Sequence, residues 1–288
     1  MQLVDQIDRR AGLSRDEYER EYLHPLRPVI LTDAISHWGA LGRWSPEFFK
    51  KEYGALEVEV DGETMALGDL IDRVEASTDD NPAPYLRNQA LAEWPPELSA
   101  DVFPMPDCTQ PNWLESRVFP NGENLSSVEV YIGGQGAQFP VLHYDGLHTH
   151  AFLMQLYGDK EYIVFSPEQT RFMYPQDGIQ ANKSRIVDLL EPDLAEFPLF
   201  DQAEGFRFSL HPGETLFVPS GWWHTARILS PSVTVSINGL NRANGAAFRR
   251  DYCEALAERS NLFSAVARAG LVFGQTTRLF EIKYLQRR

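Results

Sequence analysis

Cysteine is nearly missing from this chain of 288 residues: two occur, Cys108 and Cys253, far apart and each alone. With no CxxC pair, neither a zinc ribbon nor a disulfide framework is indicated, and a reducing cytosol fits. Long apolar runs are missing too. None approaches the ~18 residues a membrane span needs. The N-terminus, MQLVDQIDRRAGLSRDEYER, is charged from its fifth residue and lacks the apolar core of a signal peptide. The expectation is a cytoplasmic chain with no membrane partner. Basic charge is scarce: 26 Lys and Arg against 41 Asp and Glu leave a formal charge of −15, which argues against nucleic acid as a partner. Arg242, Arg249 and Arg250, and separately Lys283, Arg287 and Arg288, read as solvated helix faces. There is no internal repeat. Gly133, Gly134 and Gly136 follow a strand pattern, but no helix start and no lysine follow them, so they do not form a phosphate loop.

What is present is apolar residue, 43% of the chain, enough for one large domain or a domain with an appendage. Ser14 with Glu17 three residues on is a capping box that opens a short helix over 13–23. Residues 28–31 read as a strand, and Ser45-Pro46-Glu47 starts a second helix with proline in its first turn. The LEVEV stretch (56–60) alternates as a half-buried strand, and 65–76 is amphipathic with Leu67, Leu70, Ile71 and Val74 on one face. Residues 92–124 show little periodicity and read as irregular cover in which Trp94, Phe103, Trp113 and Phe119 need burial.

From Val128 the strands come quickly: 128–134, then one carrying His143 and Asp145, then AFLMQLY and KEYIVFSP as a hairpin about Gly158-Asp159. After an excursion over 173–206 come strands at 206–210 and 215–219, and SVTVSING (232–239) closes the set. Many short antiparallel strands with turn punctuation indicate a barrel or jelly roll. The expected organisation is one domain over 1–244 and a helical C-terminal extension over 245–288. In that extension Phe248, Tyr252, Leu256, Phe263, Val266, Leu279, Ile282 and Leu285 supply apolar positions for packing on the barrel or for a homodimer interface.

The chemistry concentrates in LHYDGLHTHAFLMQLYGDK (142–160) and GWWHTARIL (221–229). His143 and Asp145, one residue apart, share a face if the backbone is extended. His224 follows the turn at Pro219-Ser220-Gly221. Two histidines and one carboxylate form a facial triad that leaves coordination positions open, the ligand set of non-haem Fe(II) oxygenases. His148 and His150 read as mouth or structural residues; His24, His37 and His211 as structural. Trp222 and Trp223 read as core and rim. On KEYIVF, Lys160 shares a face with Tyr162 and Val164.

Taken together, HYD (143–145), GDKEYIVFSP (158–167), PGETLFVPSGWWH (212–224) and SVTVSING resemble the Jumonji-C (JmjC) and cupin-like 2-oxoglutarate oxygenases, in style the small asparaginyl hydroxylases. RPVILTDAISHWGALGRWSPEFF resembles their pre-barrel segment, so the likeness covers about residues 20–244. It implies a double-stranded β-helix, mainly β with flanking helices, and Fe(II) held by His143, Asp145 and His224. It also implies 2-oxoglutarate as co-substrate, with Lys160 and Tyr85 on its distal carboxylate and Asn238 near the metal. Two positions depart from the pattern: Pro140 replaces a Ser or Thr, and Ala151 replaces an Asn. Thr149, or His150, is the expected substitute contact. The implied reaction is hydroxylation of an amino-acid side chain in a protein or peptide, with lysine demethylation as a variant and a small-molecule substrate also compatible. Two other readings stay open: a jelly-roll metalloenzyme that needs no 2-oxoglutarate, and a non-catalytic cupin-like binding module.

Overall fold

The alternation of apolar and polar side chains along the C-terminal half sets two sheets face to face. A computed structural model describes residues 1–4, 7–115, 128–189, 191–257 and 267–272. In chain order the strands are β1 (Gln2–Val4), β2 (Arg9–Arg10), β3 (Val29–Leu31), β4 (Glu57–Val60), β5 (Glu63–Ala66), β6 (Leu86–Ala90) and β7 (Val128–Gly133). They continue as β8 (His150–Tyr157), β9 (Lys160–Phe165), β10 (Glu204–Leu210), β11 (Thr215–Val218), β12 (Trp223–Ile228) and β13 (Ser232–Gly239). Helices are α1 (Arg15–Tyr18), α2 (Pro46–Tyr53), α3 (Leu67–Glu75), α4 (Pro96–Asp101) and α5 (Gly245–Ala257).

A seven-stranded sheet runs β2-β3-β11-β8-β13-β7-β6, and a four-stranded sheet runs β1-β10-β9-β12. From β8 onward the chain passes repeatedly from one sheet to the other, which is the jelly-roll arrangement. This corrects the hairpin expected at Gly158-Asp159. β8 pairs with β11 and β13, whereas β9 pairs with β10 and β12. The Gly-Asp pair is therefore a corner between sheets. Gly158 has φ +67°, and a Cβ there would lie 1.9 Å from the Pro231 carbonyl oxygen, so only glycine fits. Gln155, fully buried, pins this corner through its amide to the Tyr157 and Gly158 carbonyls, each at 2.8 Å.

Between the sheets lie Ile30, Ala151, Leu216 and Val218 from one side and Tyr162, Val164, Phe208 and Leu210 from the other. The opposite face of the large sheet, with Phe152, Met154, Phe217, Val233, Val235 and Ile237, is buried under the N-terminal helices by Tyr18, Trp38, Trp44, Phe49 and Leu70. The outer face of the small sheet, Ile163 and Phe165, is covered by the excursion through Phe172, Phe197 and Phe200.

The N-terminal helices follow their sequence signals. Ser14 and Glu17 form the capping box, and Ser45 caps α2 at Phe48 N. Residues 96–101, expected to be irregular, form α4 with prolines at its start, a signal too short to stand out from its surroundings. Trp94 and Trp113 are buried as expected, but Phe103 is 52% exposed; Phe119 lies outside the described residues. On α5, Phe248 packs with Trp113, Leu114 and Leu240 at the end of β13. The expected positions Phe263, Val266, Leu279, Ile282 and Leu285 lie outside the described residues. No helix among the described residues is long and apolar enough to cross a membrane.

Candidate active site

His143, Asp145 and His224 converge: one ligand atom from each lies within 4.8 Å of the others, the one such group of His, Cys, Asp and Glu among the described residues. The backbone holds the two histidines together. His143 N–H donates to the His224 carbonyl at 3.1 Å, and His224 N–H donates back at 2.6 Å. The stretch before His143 runs beside β12, with Phe139 N–H on the Ala226 carbonyl at 2.8 Å. This bridge ends at His143, so Asp145 is not on a strand as expected. It stands at the entry to a 3-10 turn over Gly146–His148.

Both imidazoles have one nitrogen anchored. His143 Nδ1 is 3.1 Å from the Val141 carbonyl and His224 Nδ1 is 3.0 Å from the Trp222 carbonyl. A carbonyl accepts only, so each Nδ1 carries a proton and Nε2 is the ring atom left to bind a metal. His224 Nε2 is 3.7 Å from Asp145 Oδ2. Burial, with His224 nearby, depresses the His143 pKa to about 3 and so keeps that ring neutral. Burial pushes the Asp145 carboxyl up, an effect that His224 opposes. Phe139 stacks on His143 with ring centroids 4.5 Å apart. Two imidazoles anchored through Nδ1 and a desolvated carboxyl group facing one point are a donor set that fits a divalent transition metal.

The three side chains share a cavity with Tyr85, Lys160 and Asn238. Lys160, 1% exposed, donates from Nζ to the Tyr85 hydroxyl at 2.8 Å. Its ammonium also lies 5.2 Å and 5.7 Å from the ring centroids of Tyr85 and Tyr131. Among the described residues no carboxylate makes an ion pair with it, and burial lowers its pKa to about 7. A buried cation without a counter-ion is a site prepared for an anion. Burial also raises the Tyr85 hydroxyl above its ordinary range, so it keeps its proton and can donate it onward. This arrangement fits the distal carboxylate of a dicarboxylate.

Thr149 is not brought to the cavity. The residue is buried, and its hydroxyl donates to the Gly146 carbonyl at 3.1 Å and closes the 3-10 turn. His150 also points elsewhere: it is fully buried against Phe217, with Nδ1 accepting from Ser220 N–H at 3.0 Å. Ala151 does line the cavity. Residues not singled out from sequence line it as well, among them Thr234 and Ser236 on the strand of Asn238. The alternation of SVTVSING carried that signal, since every second residue from Asn238 faces the same way. Glu129, Tyr131 and Asn88 form another part of the lining, with Tyr131 O–H donating to Glu129 at 2.7 Å.

A profile described as the cupin-like domain matches residues 15–239. Among curated relatives, lysine-specific demethylase 8 of Xenopus tropicalis is 32% identical over 235 residues, covering 77% of this chain and 50% of the relative. Lysine-specific demethylase JMJ30 of Arabidopsis thaliana is 28% identical over 255 residues, 84% of this chain and 56% of the relative. The tRNA wybutosine-synthesizing protein 5 of Homo sapiens is 26% identical over 258 residues, 81% of this chain and 76% of the relative. The chain thus spans about half the length of the demethylases it matches.

Proposed function

The chain belongs to the cupin-like (JmjC) domain family, and on that premise we propose that it is an Fe(II)- and 2-oxoglutarate-dependent oxygenase that hydroxylates an amino-acid side chain of a protein or peptide. The observation that carries this reading is one cavity bearing both a His143–Asp145–His224 set and the Lys160 ammonium, which has no counter-ion among the described residues. Bound there, the metal and the keto acid would supply oxidative decarboxylation to succinate and carbon dioxide, coupled to insertion of one oxygen atom into a substrate C–H bond.

The protein's share of the work is binding, orientation and exclusion of water. His143 and His224 would offer Nε2 and Asp145 a carboxylate oxygen, each held in place before the metal arrives. Lys160 and Tyr85 would grip the distal carboxylate of 2-oxoglutarate, a point cation and a hydroxyl donor in a cavity that Ala151, Leu153 and Tyr162 also line. Asn238 would stand beside the reacting end. A formal charge of −15 supports a protein or peptide substrate over RNA.

The relatives' names favour a second outcome at the same site. Hydroxylation of an N-methyl group yields an unstable product that sheds formaldehyde, which is demethylation by the same oxygen insertion. The experiment is incubation with Fe(II), ascorbate and 2-oxoglutarate, with and without a mixture of lysine-, arginine- and asparagine-bearing peptides, some N-methylated. Succinate release is expected; a peptide gain of 16 mass units marks hydroxylation, and formaldehyde marks demethylation. No succinate and no binding of 2-oxoglutarate by calorimetry would overturn the reading.

A further inference from the structure

The turn that follows Asp145 is gripped from outside the barrel. Leu147 and His148 occupy consecutive left-handed positions, with φ 57° and 51°, which side-chain-bearing residues rarely adopt. Such a conformation persists only where its surroundings impose it. Here the restraint comes from α5 and the residue before it. The Asp251 carboxylate is hydrogen-bonded to His148 Nδ1, and its other oxygen accepts from Arg250 Nε at 3.0 Å. Partial burial opposes its charge, yet the His148 bond and Arg250 hold the Asp251 carboxyl below the usual range. Asn244, 1% exposed, donates its amide protons to the carbonyls of His148 and Gly239, each at 3.0 Å, and so ties the turn to the end of β13. Leu147 packs into the cluster of Phe248, Tyr252 and Leu240.

None of Leu147, His148, Asn244 and Asp251 lines the cavity. Their link to it is the short backbone path from His148 to Asp145, closed on itself by the Thr149 hydroxyl at Gly146. A displacement of His148 therefore passes to the Asp145 carboxylate.

We propose that Asp251 and Asn244 are positioning residues for the metal centre, locking the His148 turn so that Asp145 faces His143 and His224. This rests on the reading of those three residues as metal ligands. It makes the helix after the barrel part of the site, although no side chain of that helix reaches the cavity.

The test is Mn(II) binding to the full chain, followed by electron paramagnetic resonance. Asp145→Ala is expected to abolish it. Asp251→Ala is expected to weaken it by about tenfold or more, the range for removing a group that orients a metal ligand. Asp251→Asn, which keeps an acceptor oxygen for the imidazole N–H, should restore most of the affinity. Hydrogen exchange of the 146–149 amides should quicken in Asp251→Ala while β8 and β13 stay protected. A helix that merely docks would lower the melting temperature and leave Mn(II) affinity unchanged, and that result overturns the proposal. Should Asp251→Ala not fold, Asn244→Ala removes the other tie, and wild-type affinity there is equally fatal. If Asp145→Ala itself binds Mn(II) normally, the metal-centre reading falls instead, and this inference with it.

Discussion

The Lys160 ammonium and the Tyr85 hydroxyl meet at 2.8 Å, from a strand of the small sheet and from the segment leading into β6 of the large one. The contact crosses the barrel interior and leaves a cation buried with an aromatic partner but no counter-ion among the described residues.

Replacing that cation should stabilise the ligand-free protein and disable the site. Lys160→Met keeps the length of the side chain and removes the desolvated charge, a change expected to raise stability. Urea denaturation should show the gain, while calorimetry shows loss of 2-oxoglutarate binding. Binding retained in Lys160→Met would remove Lys160 from the co-substrate site and favour a metalloenzyme that needs no 2-oxoglutarate.

The same group predicts a pH dependence. The folded-state pKa of Lys160, about 7, lies below the unfolded value near 10.5. Between these limits the unfolded chain binds more protons, so ligand-free stability should rise from pH 7 toward pH 10 through this group. A carboxylate bound to Lys160 favours the charged form, so binding of 2-oxoglutarate at pH 8 should take up about one proton. Binding enthalpies in buffers of different ionisation enthalpy measure that uptake; no buffer dependence would contradict it.

Acid should destabilise the fold through two histidines. Burial holds the pKa values of His143 and His150 at about 3, against an unfolded value near 6.5. The unfolded chain binds the extra protons between those limits, so stability is lost as pH falls through that window, by about 2 kcal/mol for each group at pH 5. His150→Asn preserves an acceptor for the Ser220 amide. Its stability should fall more shallowly between pH 6 and 4, by about 1.4 kcal/mol per pH unit. An unchanged slope in denaturant midpoints would show that His150 is not a source.

Gly133 sets the position of Tyr85. A Cβ there would lie 2.5 Å from Ile228 Cδ1 and 2.7 Å from Tyr85 Cδ2. Gly133→Ala should therefore destabilise the chain by about 1–3 kcal/mol through overpacking. It should also weaken 2-oxoglutarate binding while Mn(II) binding holds. Equal loss of both ligands would point to general unfolding.

Local patterns carried much of this in the linear chain. Ser14 and Glu17, or Ser45 with Pro46, act on backbone groups within one helical turn, so their effect is readable without knowing the fold. His143, Asp145, Lys160 and His224 stood out by chemical type and order; the density of short strands indicated a barrel or jelly roll, and the family resemblance implied the jelly roll. Packing decided the rest. Alternation in SVTVSING shows that two faces differ, but not that the polar face turns inward to the cavity while Val233, Val235 and Ile237 turn outward beneath the N-terminal helices. Gly158-Asp159 looks alike as a hairpin and as a corner between sheets; the difference lies in whether β8 finds its hydrogen bonds on β9 or on β11 and β13. Thr149 is one residue from His148 and four from Asp145 in sequence, yet its hydroxyl is used locally at Gly146. Residue chemistry and short-range hydrogen bonding belong to the chain itself, whereas side-chain direction and strand partnership depend on contacts between segments far apart in sequence, and only the folded barrel sets those.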